Sequence, residues 1–176
     1  MEIINLTIDA IRQMSGPEHF RTLKDFIPEF QSKLTQKLRD TSLFTEGTML
    51  ETLVLKSNPD HIGFKLNPGL VIHIPVEAQE EDTNDNNFVF IAFNCGLNPA
   101  RVRNNFYTLF QMFEGLNYKT GILINIGRYP DTYLLSIGRN YTETDRLHEL
   151  SIGYKNGHTH IQHTYFREQG IISKLV

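Results

Sequence analysis

Asp60 and Glu77 are the residues of this chain whose spacing first suggests chemistry. They sit near the outer ends of "NPDHIGFKLNPGLVIHIPVEAQ", Asn58 to Gln79, which reads as two strands around a tight turn. A two-residue turn at Pro68-Gly69 sets Asn67 opposite Leu70, and the same register sets Asp60 opposite Glu77. Directly opposed residues have Cβ atoms about 5 Å apart. Side chains alternate along a strand, so Gln79 shares the face of Glu77. Two carboxylates at that distance repel unless a cation or a donor lies between them. Mg²⁺ or Mn²⁺ bound there would neutralise charge developing at a phosphodiester and lower the pKa of an attacking water. Gln79, an amide, would orient that water but not act as its base. The plainer alternative is a piece of sheet with two acids at its edge.

A second anion-handling feature starts at Asn98, in "LNPARVRNNFYTLFQMFEGLNY". Asn98 can cap a helix, Pro99 suits its first position and Gly115 can end it. Unpaired N–H groups at a helix start favour an anion, and Arg101 and Arg103 in the opening turns are candidate phosphate contacts. The alternative is that both arginines are simply solvated. "GHTHIQH" places His158 and His160 on one face of a strand and His163 on the other. An i, i+2 histidine pair can ligate zinc or iron; solvated histidines on an edge strand are the competing reading. The acidic "EAQEEDTNDNN" lacks the spacing of an EF-hand loop and reads as a surface loop. Cys95 reads as a partly buried thiol.

These residues need elements to hold them. "SGPEHFRTLKDFIPEFQSKLTQKLRD" carries Phe20, Leu23, Ile27, Phe30, Leu34 and Leu38 at helical spacing, with Pro28 expected to kink or divide the helix. "MLETLVLK", "HIGFKL", "LVIHIPVE" and "FVFIAF" read as strands. The helix after Asn98 buries Val102, Phe106, Leu109, Phe113 and Leu116. "KTGILINIG" reads as a buried strand, and "YPDT" as a turn that makes "INIGR" and "LSIGR" two arms of one hairpin. A last hairpin turns around Lys155-Asn156-Gly157. The expected organisation is one domain over 1–176: N-terminal helices over 1–46, a core over 47–127, and hairpins over 128–176. The fold class is α/β to α+β, a mixed central sheet flanked by helices.

Bulk properties narrow the partners. With 176 residues, 40% hydrophobic and 21% charged, the chain has the composition of a globular domain. Its formal net charge of -3 argues against a broad basic surface for nucleic acid, though a local patch would serve. One cysteine permits no intrachain disulfide. Together with an N-terminus unlike a signal peptide, it leads to an expectation of a cytoplasmic protein. No apolar run approaches the ~18 residues of a membrane span, so no membrane partner is expected.

Pro59-Asp60, then Glu77-Ala78-Gln79, resembles the signature of the PD-(D/E)XK nuclease superfamily, in which some members carry glutamine for the terminal lysine. "FYTLFQMFEGLNYKTGILINIG" is similar to the helix-then-strand segment that follows the active-site strand in small members, and "EGTMLETLVLK" to their glutamate-bearing entry, here Glu51. The resemblance spans roughly Gly47 to Gly127. It implies a restriction-endonuclease-like core with an extra C-terminal hairpin. It also implies Mg²⁺- or Mn²⁺-dependent phosphodiester hydrolysis, with Asp60, Glu77 and Glu51 at the metal and nucleic acid as partner. The two halves of the resemblance point to different strands. If the strand entering the helix is the active-site strand, it is "FVFIAFN", with apolar residues where an acid and a lysine belong. That branch implies an inactive relative that binds another protein or its own copy as a homodimer.

Overall fold

The computed structural model describes residues 2–39, 41, 49–53, 69–73, 87–96, 99–127, 129–134, 146–167 and 170–176. Among the described residues the fold is of the α+β class, a mixed seven-stranded sheet between helices. The elements are α1 (Glu2–Arg12), a 3₁₀ turn (Pro17–Phe20), α2 (Leu23–Arg39), β1 (Met49–Leu53), β2 (Gly69–His73), β3 (Asn87–Cys95), α3 (Pro99–Leu116), β4 (Thr120–Ile126), β5 (Leu147–Lys155), β6 (His158–Arg167) and β7 (Gly170–Leu175). The strands lie in sequence order across the sheet. β3, β4 and β5 run parallel, and every other neighbouring pair is antiparallel.

The parallel centre is apolar on both faces, as sheets with covered faces are. Val89, Ile91 and Phe93 of β3 join Ile122, Ile124, Leu150 and Ile152 beneath α1 and α2. Phe90 and Ala92 join Val71, Leu123 and Leu147 beneath α3. α3 presents Val102, Phe106, Leu109 and Phe113 to that face, as its three- and four-residue spacing predicts. It packs close because residue 121 has no side chain: a Cβ there would lie 2.5 Å from the Phe113 ring. α3 runs through Gly115 to Leu116, and Asn117, at φ 49, takes the left-handed position that ends it.

The N-terminal helix begins later than its sequence suggests. Pro17 opens a 3₁₀ turn, and Thr22 starts α2. Asp25 N–H donates to Thr22 Oγ1 at 3.2 Å while the Thr22 hydroxyl donates to Asp25 Oδ2 at 2.6 Å, a reciprocal cap. Pro28 does not divide α2. A proline inside a helix costs about 3 kcal/mol. Burying Phe26, Ile27 and Phe30 around it returns about 1.5–3 kcal/mol each, which is more.

One predicted pairing does not form. Leu70 does not face Asn67 across a Pro68-Gly69 turn: its two neighbours are Thr52 of β1 and Ile91 of β3, and Gly69 pairs with Leu53 and Ala92. Both edges of β2 are occupied, by β1 and by β3; Asp60 and Glu77 lie outside the described residues. "HIGFKL" lies outside the described residues. "INIGR", expected to pair with "LSIGR", contributes to β4, which is flanked by β3 and β5, both parallel to it; "LSIGR" lies outside the described residues. Tyr133 and Leu134, expected in a strand, are buried in the connection from β4 to β5, where Leu134 is helical. The β5–β6 hairpin forms as expected. Lys155 faces His158, and Asn156 (φ 54) and Gly157 (φ 79) form the loop with the two positive φ angles of a type I′ turn. β7 is an additional strand that the sequence pattern did not announce.

Candidate functional site

Asp60, Glu77 and Gln79 lie outside the described residues. Glu51 stands in β1 opposite Val71, and its side chain is likewise outside them. Arg101 and Arg103 fall in the opening turns of α3, as expected; Arg103 is exposed, and the side chain of Arg101 is not described. Among the described residues no three histidine, cysteine or acidic side chains group as a metal site. Cys95 is half-buried, its thiol directed at the Arg21 carbonyl at 3.3 Å.

The polar groups that the fold does gather lie near the carboxyl ends of β3 and β4 and in the first half and middle of β5. Asn94, Asn125 and Ser151 are successive partners across β3, β4 and β5. All three side chains are fully buried, on the side of the sheet that α3 covers. Glu149 of β5 joins them and is also completely buried. Its Oε1 accepts from Asn125 Nδ2 at 2.5 Å and from the Tyr133 N–H at 2.9 Å, and its Oε2 accepts from the Leu134 N–H at 2.7 Å. The Ser151 hydroxyl adds a long contact at 3.5 Å. Burial pushes the Glu149 carboxyl above its ordinary pKa, against the pull of these four donors. With both oxygens engaged by donors, this carboxylate ties the β4–β5 connection to the sheet. It is poorly placed to take a proton from a substrate.

Asn94 is the member of the row with capacity to spare. Neither of its amide atoms has a hydrogen-bond partner among the described residues, and Asn125 Oδ1 is in the same position. A buried polar group left so costs about 1–3 kcal/mol. Nearby, Asn105 of α3 donates to the Phe93 carbonyl at 3.1 Å and fixes α3 to the end of β3.

A second buried group lies on the opposite face. His148 of β5 and His163 of β6 share a hydrogen bond, Nδ1 to Nε2 at 3.0 Å. Tyr165 stacks on both, with ring centroids 5.6 Å and 4.6 Å away. Burial, together with the neighbouring His163, lowers His148 to about 3. Burial, together with Lys174, lowers His163 to about 4. Both imidazoles are therefore neutral near pH 7, one donating and one accepting. His158 and His160 fall two apart in β6, as expected; His158 is exposed, and His160 is half-buried against Tyr129 at 5.3 Å. β6 is not an edge strand, because β7 lies outside it.

The helices also leave a cleft of about 340 Å³ over the starts of β3 and β4, lined by Ile3, Leu38, Ile72, Phe88 and Val89 with Glu2 and Lys119. Lys119 Nζ lies 5.3 Å from the centre of the Phe88 ring. Its volume is at the lower end of the range for small-molecule sites.

Glu149, Asn94 and Asn125 left a trace in the sequence. Each interrupts an apolar strand pattern ("LHELSI", "FIAFNC", "LINIG") at a position that shares its face with core residues. No helix among the described residues is long and apolar enough to cross a membrane. Compared with known proteins, the chain matches no family model, no curated protein and no solved structure.

Proposed function

We propose that this protein works by binding rather than by catalysis, as an inactive member of a nuclease-like scaffold that engages a protein partner or its own copy. The observation that carries this reading is the order β3–α3–β4. The strand that leads directly into α3 is β3, and its Phe90, Ile91, Ala92 and Phe93 are at most 5% exposed. In the resemblance to PD-(D/E)XK nucleases, this is the strand that would carry the acid and the lysine. Four apolar side chains packed between helix layers can neither hold a metal nor polarise water. The exposed Leu175 at the sheet margin adds an apolar contact point.

The test is a titration with Mn²⁺ followed by thermal unfolding, on the natural chain and on Glu77→Ala. A ligand at one hundred times its Kd adds about 2.7 kcal/mol, a rise of about 5–10 °C for a domain of this size. The expected result is no shift in either protein. A rise in the natural chain that Glu77→Ala abolishes would restore Asp60 and Glu77 as a metal site.

A further inference from the structure

We infer that β7 is an association surface and that its partner is the β7 of a second copy, paired antiparallel across a two-fold axis at Ser173. This names the partner for the binding reading above and rests on it.

The argument starts from which backbone groups β7 leaves outward. Val176 N–H donates to the Ile161 carbonyl at 3.0 Å. Hydrogen-bonded pairs alternate along an antiparallel ladder, so Lys174 with His163, Ile172 with Tyr165 and Gly170 with Arg167 are the pairs that bond to β6. The N–H and C=O groups of Ile171, Ser173 and Leu175 therefore point away from the sheet. Among the described residues no strand lies beyond β7. An edge with a regular outward row of donors and acceptors is a template for another strand.

Proteins guard such edges with charge, bulges or proline. β7 has neither a bulge nor a proline. It pairs with β6 over six residues without a break in register, and its only charged residue is Lys174. That charge is turned back onto its own sheet, with Nζ 5.8 Å from the centre of the Tyr165 ring. The outer margin instead presents Leu175, 62% exposed.

The composition of the strand selects a second copy as the occupant. When Ser173 faces its symmetry mate, Ile171, Ser173 and Leu175 all find outward-facing backbone partners on the other chain. Leu175 then lies opposite the mate's Ile171, so the exposed leucine gains an apolar neighbour. Lys174 lies opposite the mate's Ile172, so the two lysines are not directly opposed, a pairing that would destabilise the edge. Ser173 already exchanges hydrogen bonds with Gln162 at 2.9 Å and Thr164 at 2.7 Å. It is a small polar residue that lets two copies approach at the axis.

The test is the mass of the full chain in solution from micromolar to hundreds of micromolar concentration, by light scattering and sedimentation. A concentration-dependent dimer is expected for the natural chain. Leu175→Pro removes one outward N–H and the apolar contact but no bond to β6, and proline is accepted on edge strands. This variant is expected to remain monomeric while keeping the far-ultraviolet spectrum and cooperative unfolding of the natural chain. The register is read separately by Ser173→Cys in a Cys95→Ser background. Opposed residues on the axis are about 5.5 Å apart at Cα, within disulfide reach, so mild oxidation is expected to give a covalent dimer. Leu175→Cys, which faces Ile171, should give little. A chain that stays monomeric throughout, or a dimer that persists in Leu175→Pro and does not cross-link at 173, would overturn the inference. Either result leaves the Mn²⁺ titration to judge the binding reading on its own.

Discussion

Glu149→Gln is expected to destabilise the protein by about 3–5 kcal/mol, the cost of leaving two buried donors without an acceptor at about 1–3 kcal/mol each. The carboxylate is fully buried and meets only donors: two backbone N–H groups, the Asn125 amide and the Ser151 hydroxyl. A glutamine keeps the volume but turns an NH₂ toward one of those donors. One N–H of the Tyr133–Leu134 segment is then left buried without an acceptor, and the amide group adds a second unmet donor. The segment held this way links two parallel strands through a long crossover, so its detachment exposes Tyr133, Leu134 and the face of Leu147 together. In a domain of this size the loss corresponds to about 6–20 °C in Tm. Denaturant unfolding of Glu149→Gln beside Asn125→Ala checks it. Asn125→Ala removes only one of the donors and is expected to cost less. Equal, small effects would mean that the carboxylate is not the tie.

Acid is expected to weaken the fold through His148 and His163. In the folded protein their pKa values lie at about 3 and about 4; in the unfolded chain a histidine takes its proton near 6.5. Between about pH 6.5 and pH 4 the unfolded state therefore binds more protons than the folded one. Stability is greatest above that window and falls as pH is lowered through it, by up to about 1.4 kcal/mol per pH unit for each histidine. The two share a hydrogen bond and titrate as a pair, so the combined slope is less than twice the single one. Glu149 acts in the opposite sense. Its raised pKa contributes stability below the ordinary carboxyl range, and that stability is lost as pH rises through the folded value. The measurement is the slope of unfolding free energy against pH from 7 to 4.5, for the natural chain and for the double variant His148→Leu/His163→Leu. The double variant should give a shallower slope whatever its absolute stability. An unchanged slope would assign the acid sensitivity elsewhere.

What the sequence disclosed was local. Pro99 with apolar residues every three or four positions announced α3, and Lys155-Asn156-Gly157 between alternating residues announced the β5–β6 hairpin. What it concealed depended on distant partners. Pro68-Gly69 carries the composition of a turn, yet Gly69 is drawn into β2, where Leu53 and Ala92 are its register partners on either side. "INIGR" and "LSIGR" look like mirror arms, yet the buried Ile122, Leu123 and Ile124 need neighbours on both sides, and the chain supplies these from β3 and from β5, some twenty residues on. "GIISKL" is short enough to pass for a tail, and only its pairing with β6 makes it a strand. The polar row had the same difficulty. Asn94, Asn125 and Glu149 are isolated interruptions in three separate apolar runs, and they become one cluster only when the three strands are laid parallel. The acid pair at Asp60 and Glu77 was assembled from an assumed local turn, and both residues lie outside the described residues.

The most direct test of the binding reading is a cleavage assay. Single- and double-stranded DNA and RNA would be incubated with the protein in Mg²⁺ and in Mn²⁺, beside the double variant Asp60→Ala/Glu77→Ala purified in parallel. The expected result is that the natural chain degrades none of the substrates faster than the double variant does. Metal-dependent cleavage by the natural chain that the double variant lacks would contradict the account and return the protein to the nucleases.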